Sequence, residues 1–346
     1  MAVTMRDVAS LARVSSKTVS NVVNDQPHVH PQTRARVQQA IEELGYRPNF
    51  SARGLRSGRT GVIGLAVPEL RQNYFAELAD DVIAAAESRG LGVIVDQHSG
   101  SRQHETDVLT NGLRQTDGLL FSPERLGTED LELLDYVDYP LVLLGERIFG
   151  GPTDHVTMHN VSAARAAVRH LIDRNRRRIA VIGAHPDHRE DQIRPSDLRV
   201  RGYREALAVA GLEHDVRLER AVAPWHPQNG AEATRALIAS GVSFDAIFAL
   251  NDTLAVGALR ALGEAGYRVP DDVAVIGFDN IDNCRFTLPS LSSVEAGRKT
   301  IADTAVQMLV DRIERGPGTR RPPQLYKADY QIVARESTGG PADADR

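Results

Sequence analysis

The sequence predicts an N-terminal all-α helix-turn-helix headpiece followed by an α/β body of two lobes, each built on a doubly wound parallel sheet. Three observations predict this fold class. Residues 4–45 carry apolar side chains at helical spacing in three short runs. From residue 61 onward, short continuous apolar runs alternate with amphipathic helical segments, which is typical of parallel sheets covered on both faces. These runs are too many for one compact sheet of usual size, so we expect two lobes.

The headpiece, residues 1–47, is predicted to hold three helices. Thr4 precedes the first apolar pattern and is the expected N-cap of helix 1, which ends before a turn at Arg13. The second helix is expected over residues 16–23. The third begins near Pro31, a favoured first helical residue, and ends at Gly45.

The body is predicted to span residues 61–338, after a linker or hinge at 48–60 and before a disordered tail at 339–346. We assign 61–160 plus 292–320 to the N-lobe and 161–291 plus 321–338 to the C-lobe. Strands are expected at 62–67, 92–95, 118–121, 141–144, 179–182, 246–250 and 273–278. Helices are expected near 75–89, 102–115, 161–174, 197–210, 229–240, 253–266 and 297–315. Ligands of such sheets bind outside the carboxyl ends of the strands, here in a cleft between the lobes.

Charge is distributed unevenly along the chain. Residues 1–60 hold nine Lys and Arg side chains against four acidic ones, whereas the whole chain has a net charge of −5. A basic head attached to an acidic body favours contact with phosphate through the head alone. The single cysteine, Cys284, excludes an intramolecular disulfide and a cysteine-based metal cluster. Without a signal-like segment or a long apolar stretch, we expect a cytoplasmic protein with no membrane partner.

An ordered set of motifs resembles the LacI/GalR family of bacterial transcription regulators over nearly the whole chain, to about Thr338. The motifs are residues 4–24, Leu-Gly-Tyr-x-Pro-Asn at 44–49, Asn-Asp-x-x-Ala at 251–255, Val-Ile-Gly-Phe-Asp at 275–279 and Arg-Glu-Ser-Thr at 335–338. The resemblance implies a periplasmic-binding-protein-like body, a homodimer and a pseudo-palindromic double-stranded operator. Two residues depart from the family pattern: Arg13 stands where Gly is frequent, and His30 where Ser often caps helix 3.

The resemblance makes helix 2 the recognition helix in the major groove. Ser16, Lys17 and Asn21 are then expected at base edges, with Lys17 donating to guanine and Asn21 pairing with adenine. The alternative is that these are ordinary solvated polar side chains. Contacts to phosphates, which carry no sequence information, are expected from six further residues: Thr4, Thr18, Ser20, Asn24, His28 and Tyr46.

Residues 49–56 form a polar segment with Gly54, a poor isolated helix. In the family this segment folds as a hinge helix only on the operator, paired with its dimer mate in the minor groove. The resemblance implies that Leu55 wedges into a central CG step. The other DNA-binding residues expected in this segment are Asn49, Ala52, Arg53 and Arg56.

Seven residues are expected to bind an effector in the cleft. Arg199, in Arg-x-x-Gly-Tyr, matches the family's effector-binding arginine, and Asp279 matches its acid at the end of a strand. Asn251 and Glu146 also follow strand ends. The remaining candidates are aromatic: Tyr74, Phe75 and Trp225. Alternatives stay open, because Phe75 could be a core residue and Trp225 a surface cap of its lobe. Glu146 and Arg147, which follow the same strand end, could be ligand contacts or a structural pair.

Together these features predict a repressor controlled by a small molecule, first a sugar inducer of a carbohydrate-utilisation operon and second a purine or nucleoside co-repressor. An enzyme lacks support, because no nucleophile or acid/base motif is evident. A solute-binding protein of a transporter would leave the basic head unexplained. No cofactor or metal is expected. His185, Asp187, His188 and Asp191 could suggest a metal site, but a solvated loop at the cleft rim is the preferred interpretation.

Overall fold

The computed structural model describes residues 3–23, 27–46, 59–148, 150–186, 193–315 and 322–341. The chain divides into two compact units, Met1–Gly61 and Val62–Arg346. Several residues with expected roles lie outside the described ranges: Asn24, Asn49, Ala52, Arg53, Leu55, Arg56, Asp187, His188 and Asp191.

The headpiece contains the three expected helices, α1 (Met5–Leu11), α2 (Ser16–Val23) and α3 (Pro31–Leu44). Val8, Val19 and Val37, one from each helix, are fully buried and form the centre of a small common core. At the start of α1 the Thr4 backbone N–H and hydroxyl both donate to Asp7 Oδ2 at 2.7 Å. Ser15 caps α2, because its hydroxyl accepts a hydrogen bond from the Thr18 N–H at 3.1 Å.

The turn after α1 requires a left-handed backbone. The Val14 N–H donates to the Ala9 carbonyl at 3.0 Å and the Arg13 N–H to the Ser10 carbonyl at 3.2 Å, the paired bonds of a Schellman motif. This motif holds Arg13 at φ 52°. A non-glycine residue there costs about 1 kcal/mol relative to Gly.

The strands of the N-lobe are β1 (Val62–Val67), β2 (Gly92–Gln97), β3 (Leu119–Phe121), β4 (Leu141–Leu144), β5 (Asp154–Met158) and β11 (Leu325–Ala328). Its helices are α4 (Asn73–Glu87), α5 (Arg102–Asn111) and α10 (Arg298–Arg315). The strands form a six-stranded parallel sheet in the order β11-β5-β4-β3-β1-β2. One face of this sheet packs on α4 and α10, and the other on α5 and a 3₁₀ segment at 128–136.

The strands of the C-lobe are β6 (Ile179–Ala184), β7 (Glu219–Ala221), β8 (Ala246–Ala249), β9 (Ala274–Ile276), β10 (Ser293–Glu295) and β12 (Gln331–Val333). Its helices are α6 (Asn160–Ile172), α7 (Pro195–Val209), α8 (Pro227–Ala239) and α9 (Asp252–Glu264). Four strands form a parallel sheet in the order β7-β6-β8-β9, and β10 and β12 form an antiparallel pair. Helices α6 and α7 cover one face of the larger sheet, and α8 and α9 cover the other.

The lobe boundaries expected near the C-terminus are wrong in two places. Residues 292–296 were assigned to the N-lobe, but β10 pairs with β12 and Val294 is buried in the C-lobe core. Residues 325–328 were assigned to the C-lobe, but β11 pairs with β5 at the edge of the N-lobe sheet. Short strands of three or four residues carry too little periodicity to indicate which sheet they join.

Two further differences concern short segments. Strand β5 was not predicted, because Asp154, His155 and Thr157 interrupt its apolar pattern although all three are buried. In the segment expected to be a disordered tail, the Gly339 N–H donates to the Glu336 carbonyl and the Gly340 N–H to the Arg335 carbonyl. The hydrogen-bonded body therefore extends at least to Gly340.

Among the described residues, no helix is both long enough and apolar enough to cross a membrane.

Candidate functional site

A cleft of about 1410 Å³ lies between the two lobes of the body. The carboxyl ends of parallel strands open onto it: Glu146 follows β4, Asn251 follows β8 and Asp279 follows β9. The structure brings all seven residues expected at this site to its lining: Tyr74, Phe75, Glu146, Arg199, Trp225, Asn251 and Asp279.

Arg199 is held rigidly in the floor of the cleft. It extends from α7, is only 4% exposed, and its Nε donates to Asn160 Oδ1 at 2.8 Å. A second nitrogen donates to the Leu250 carbonyl, and Nη2 lies 3.5 Å from Asp279 Oδ1. Its guanidinium carbon sits 3.7 Å from the centroid of the Phe278 ring, a cation–π contact. This arrangement leaves Arg199 little freedom to move before a ligand arrives.

Glu146 and Arg199 are joined by Asn160, the first residue of α6 at a crossing between the lobes. The Asn160 amide Nδ2 donates to Glu146 Oε1 at 2.6 Å while its Oδ1 accepts from Arg199. The Thr157 hydroxyl donates to the same Glu146 oxygen at 2.5 Å. Asn160 therefore holds the Glu146 carboxylate of the N-lobe and the Arg199 guanidinium of the C-lobe in place together. Asn160 was not predicted to belong to the site, because it follows β5, and the polar residues of β5 kept that strand from being predicted.

Asp279 lies beside this network in an unusual backbone conformation. Its φ is 105°, a region that L side chains rarely adopt, and its carboxyl group is buried. Burial raises the pKa of Asp279 to about 8, an effect that Arg199 opposes. A strained, buried polar residue facing a cleft is typical of a ligand-binding position.

A second buried acid, Asp252, supports the loop that carries Asp279. The Ser293 hydroxyl and the Ile281 N–H donate to its two carboxylate oxygens at 2.6 and 2.9 Å. Burial raises the pKa of Asp252 to about 7. A Cβ at Gly277 would overlap Asp252 Oδ1, so the approach of this loop requires glycine.

Asn251 and the aromatic residues complete the lining. Asn251 Oδ1 accepts from the Leu254 N–H at 2.8 Å and caps α9, which leaves its amide NH₂ as the donor available to a ligand. Tyr74 and Phe75 pack edge to face, with centroids 5.3 Å apart. Burial raises the pKa of the Tyr74 hydroxyl, and the neighbouring Asp279 and Glu146 carboxylates add to this. Phe75 packs on the N-lobe core and also lines the cleft.

Trp225 presents a fixed aromatic surface from the C-lobe. Its indole N–H donates to the Gly183 carbonyl at 3.0 Å, and its ring centroid lies 5.6 Å from the Arg199 guanidinium carbon. The next residue, His226, approaches Glu69 of the N-lobe, with Nε2 and Oε2 3.0 Å apart. Carboxylates, amides and an arginine beside aromatic faces suit a ligand with many hydroxyl groups and apolar C–H surfaces.

Arg147, which the sequence left open as a ligand contact or part of a structural pair, also lines the cleft. Only 6% of it is exposed, and its Nε and Nη2 donate to the Leu126 and Arg125 carbonyls at 3.1 and 3.2 Å. Its Nη1 donates to the Ile193 carbonyl of the C-lobe, also at 3.2 Å. Arg147 therefore ties a rim loop of the N-lobe to the start of α7.

The segment with possible metal ligands is only partly described. His185 lines the cleft, and its Nδ1 lies 2.6 Å from an Arg194 nitrogen. In the part of the chain that the structure describes, no group of three His, Cys, Asp or Glu side chains could hold a metal ion.

In the headpiece, the residues expected to contact DNA differ in exposure. Ser16, Lys17, Thr4 and His28 are exposed, whereas Thr18, Ser20 and Asn21 are half-buried. Tyr46 is 8% exposed and packs in the headpiece core, so little of its side chain is accessible to a phosphate.

Comparisons with known proteins match both units. A family model described as bacterial regulatory proteins, lacI family, matches residues 4–49, and a periplasmic binding protein-like domain matches residues 168–338. The HTH-type transcriptional regulator CelR of Thermobifida fusca is 34% identical over 342 residues, which cover 96% of this chain and 98% of that protein.

Two solved structures extend this likeness to three dimensions. A complex of the transcriptional regulator CelR with cellobiose has a TM-score of 0.69 at 31% identity, covering 97% of this chain and 99% of that one. A lac repressor dimer bound to operator and an anti-inducer has a TM-score of 0.77 at 25% identity, covering 98% of this chain and 99% of that one.

Proposed function

The chain belongs to the lacI family of bacterial regulatory proteins, and from this premise we propose that it is a transcriptional repressor whose operator affinity is controlled by a sugar bound in the cleft. The headpiece binds the operator, with Ser16, Lys17 and Asn21 at base edges. Because the operator lies on chromosomal DNA, the protein acts in the cytoplasm.

One observation carries the sugar proposal: the network that joins Glu146, Asn160 and Arg199 across the two lobes, with Asp279 beside it. The carboxylate and guanidinium groups of this network that face the cleft can form hydrogen bonds with neighbouring hydroxyls of one sugar ring. Trp225 offers a surface for the C–H face of the ring. Since the network spans both lobes, a ligand bound to it changes the free energy of lobe closure. The structure of a CelR–cellobiose complex, a relative of this chain, supports a saccharide as the effector.

We propose further that the repressor is a homodimer on a pseudo-palindromic operator with a central CG step. A two-fold symmetric dimer presents two recognition helices to two half-sites. The lac repressor structure, a dimer bound to operator, supports this arrangement. The minor-groove part of the proposal, with Leu55 as the wedge, concerns residues outside the described ranges.

The sugar proposal is tested with the chain's own fluorescence. Trp225 is the only tryptophan and lines the cleft, so a ligand there changes the emission of a single, placed fluorophore. Mono- and disaccharides, sugar phosphates and purines are titrated, and thermal shifts check each hit. A ligand at about 100 times its Kd adds roughly 2.7 kcal/mol of stability.

Arg199→Ala is the matched negative control, because it removes the central donor of the site. A saccharide that binds the wild type and not Arg199→Ala, and that changes operator affinity in a gel-shift assay, supports the proposal. A purine hit would replace the sugar inducer by a purine co-repressor. A hit that binds Arg199→Ala equally well would place the ligand outside the cleft.

A further inference from the structure

Helices α1 and α3 of the headpiece both end in a Schellman motif, but they have different residues at its left-handed position. At the end of α3 the Tyr46 N–H donates to the Ile41 carbonyl at 3.0 Å and the Gly45 N–H to the Glu42 carbonyl at 3.1 Å, with Gly45 at φ 58°. At the end of α1 the same pair of bonds forms, but the left-handed residue is Arg13, at φ 52°. Glycine adopts this conformation without steric strain and arginine does not.

The headpiece itself gives no reason for an arginine at this position. The Arg13 side chain is exposed, and among the described residues its guanidinium makes no ion pair or hydrogen bond. The apolar contact that accompanies the motif comes from the next residue, Val14, which packs against the core. Gly or Asn would therefore serve the fold better, and a strained residue kept without a structural benefit points to a function.

The position of Arg13 indicates what that function is. It stands two residues before Ser15, the cap of α2, and therefore its Cα lies within about 11 Å of that of Ser16, the first residue of the proposed recognition helix. An extended arginine side chain reaches beyond the surface of such a turn. The first 60 residues are also the basic part of the chain.

We propose that Arg13 binds a phosphate of the DNA backbone beside the bases that α2 reads. The inference rests on the proposed function, since it requires that the headpiece binds DNA. The contact is an electrostatic one to the backbone, so it adds affinity and fixes the register of α2 without selecting a sequence.

The test uses opposite effects on folding and on binding in the intact protein. Arg13→Asn removes the charge and places at this turn the non-glycine residue that best tolerates a left-handed backbone. Arg13→Lys keeps both the charge and the strain. Arg36→Gln, at an exposed arginine of α3, removes the same charge elsewhere in the headpiece. Binding is measured by fluorescence anisotropy with a labelled DNA duplex of random sequence over a range of salt concentrations.

For Arg13→Asn we expect about 3- to 10-fold weaker binding at moderate salt and a log Kd versus log salt slope smaller by about 0.9, the value for one phosphate. Hydrogen exchange of α1 and α2 amides should slow about twofold, because asparagine relieves only part of the strain that glycine would remove. Arg13→Lys should keep the wild-type slope, and Arg36→Gln should change neither the slope nor the exchange.

Three outcomes would overturn the inference. Wild-type affinity and slope in Arg13→Asn would show that Arg13 does not touch DNA. An equal loss in Arg36→Gln would show that only the net charge of the headpiece matters. A wild-type chain that binds no duplex at all would refute the proposed function together with this contact, whereas the first two results leave the proposed function intact.

Discussion

Asn160→Asp is the substitution that examines the lobe-spanning network most directly. The new side chain has nearly the same shape and still accepts the hydrogen bond from Arg199 Nε. Opposite Glu146 Oε1, however, a carboxylate replaces the amide that donated at 2.6 Å. Two carboxylates at this distance cannot both ionise without a large penalty, so the pair is expected to hold one proton.

The size of the change in the free energy of unfolding follows from the linkage between folding and proton binding. A shared proton raises the pKa of one member of the pair in the folded state, and the Arg199 guanidinium, which donates to position 160, opposes this rise. A pKa that is higher in the folded state gives stability that is present at acid pH and lost as the pH rises. Each tenfold difference in proton affinity between the folded and unfolded states is worth about 1.4 kcal/mol, so Asn160→Asp should lose stability on this order, relative to the wild type, as the pH rises from about 4 to 7.

The assay is thermal unfolding followed by circular dichroism across this pH range, plotted as the difference between variant and wild type. A loss of about 1.4 kcal/mol corresponds to a variant melting temperature that is lower at neutral pH by about 3 °C than the difference between variant and wild type measured at acid pH predicts. Arg199, Asp279 and Tyr74 face the same network in both proteins. Subtracting the wild-type melting temperature from that of the variant at each pH therefore removes most of the pH dependence that these groups contribute.

The matched control is the double variant Glu146→Gln/Asn160→Asp. Its glutamine amide can donate to the carboxylate introduced at position 160, and with one carboxyl group left the pH-dependent loss should disappear. A wild-type pH profile of stability in Asn160→Asp would show that the carboxyl groups at positions 146 and 160 do not share a proton. The same conclusion would follow if the double variant kept the full pH dependence.

Three further predictions concern packing and the two binding functions. Gly257→Ala should destabilise the C-lobe by about 1–3 kcal/mol or more, because its Cβ would overlap the Pro227 carbonyl oxygen, whereas Gly263→Ala in the same helix meets nothing within 4 Å and should be neutral or stabilising in thermal unfolding. Leu55→Ala should weaken operator binding in gel shifts by about 10-fold or more, because it removes the side chain proposed to insert between two base pairs. Ligand affinity, measured from Trp225 fluorescence, should stay unchanged. Arg199→Ala should abolish the ligand response while DNA binding persists.

Each of these predictions has an outcome that contradicts it. Equal melting temperatures for the two glycine variants would mean that α8 and α9 separate at little cost. Full operator affinity in Leu55→Ala would remove the wedge from the proposal. A normal ligand response in Arg199→Ala would show that the arginine is structural.

Most of the cleft could be predicted because its residues follow strands with continuous apolar runs. Glu146, Asn251 and Asp279 each stand one or two residues after such a run, and the carboxyl ends of parallel strands meet at one edge. Asn160 could not be predicted in this way, and for Arg147, which follows the same strand as Glu146, the sequence left open whether it contacts a ligand or belongs to a structural pair. Their roles depend on partners that lie far away in the chain, such as Arg199 for Asn160 and Ile193 for Arg147.

Most of the secondary structure of both units can be predicted from the sequence, because local apolar periodicity and capping residues such as Thr4 and Gly45 act within one or two turns of chain. The family also follows from the sequence, and with it the pairing of a DNA-binding head with a ligand-binding body.

The lobe that β10 or β11 joins cannot be predicted from the sequence, since strand pairing depends on hydrogen bonds between segments far apart in the chain. The tertiary structure also places the amide of Asn160 between the Glu146 carboxylate of one lobe and the Arg199 guanidinium of the other. It also fixed the left-handed backbone of Arg13, through bonds to carbonyls of the preceding helix. In each case the deciding energy lies in contacts that a linear pattern does not contain.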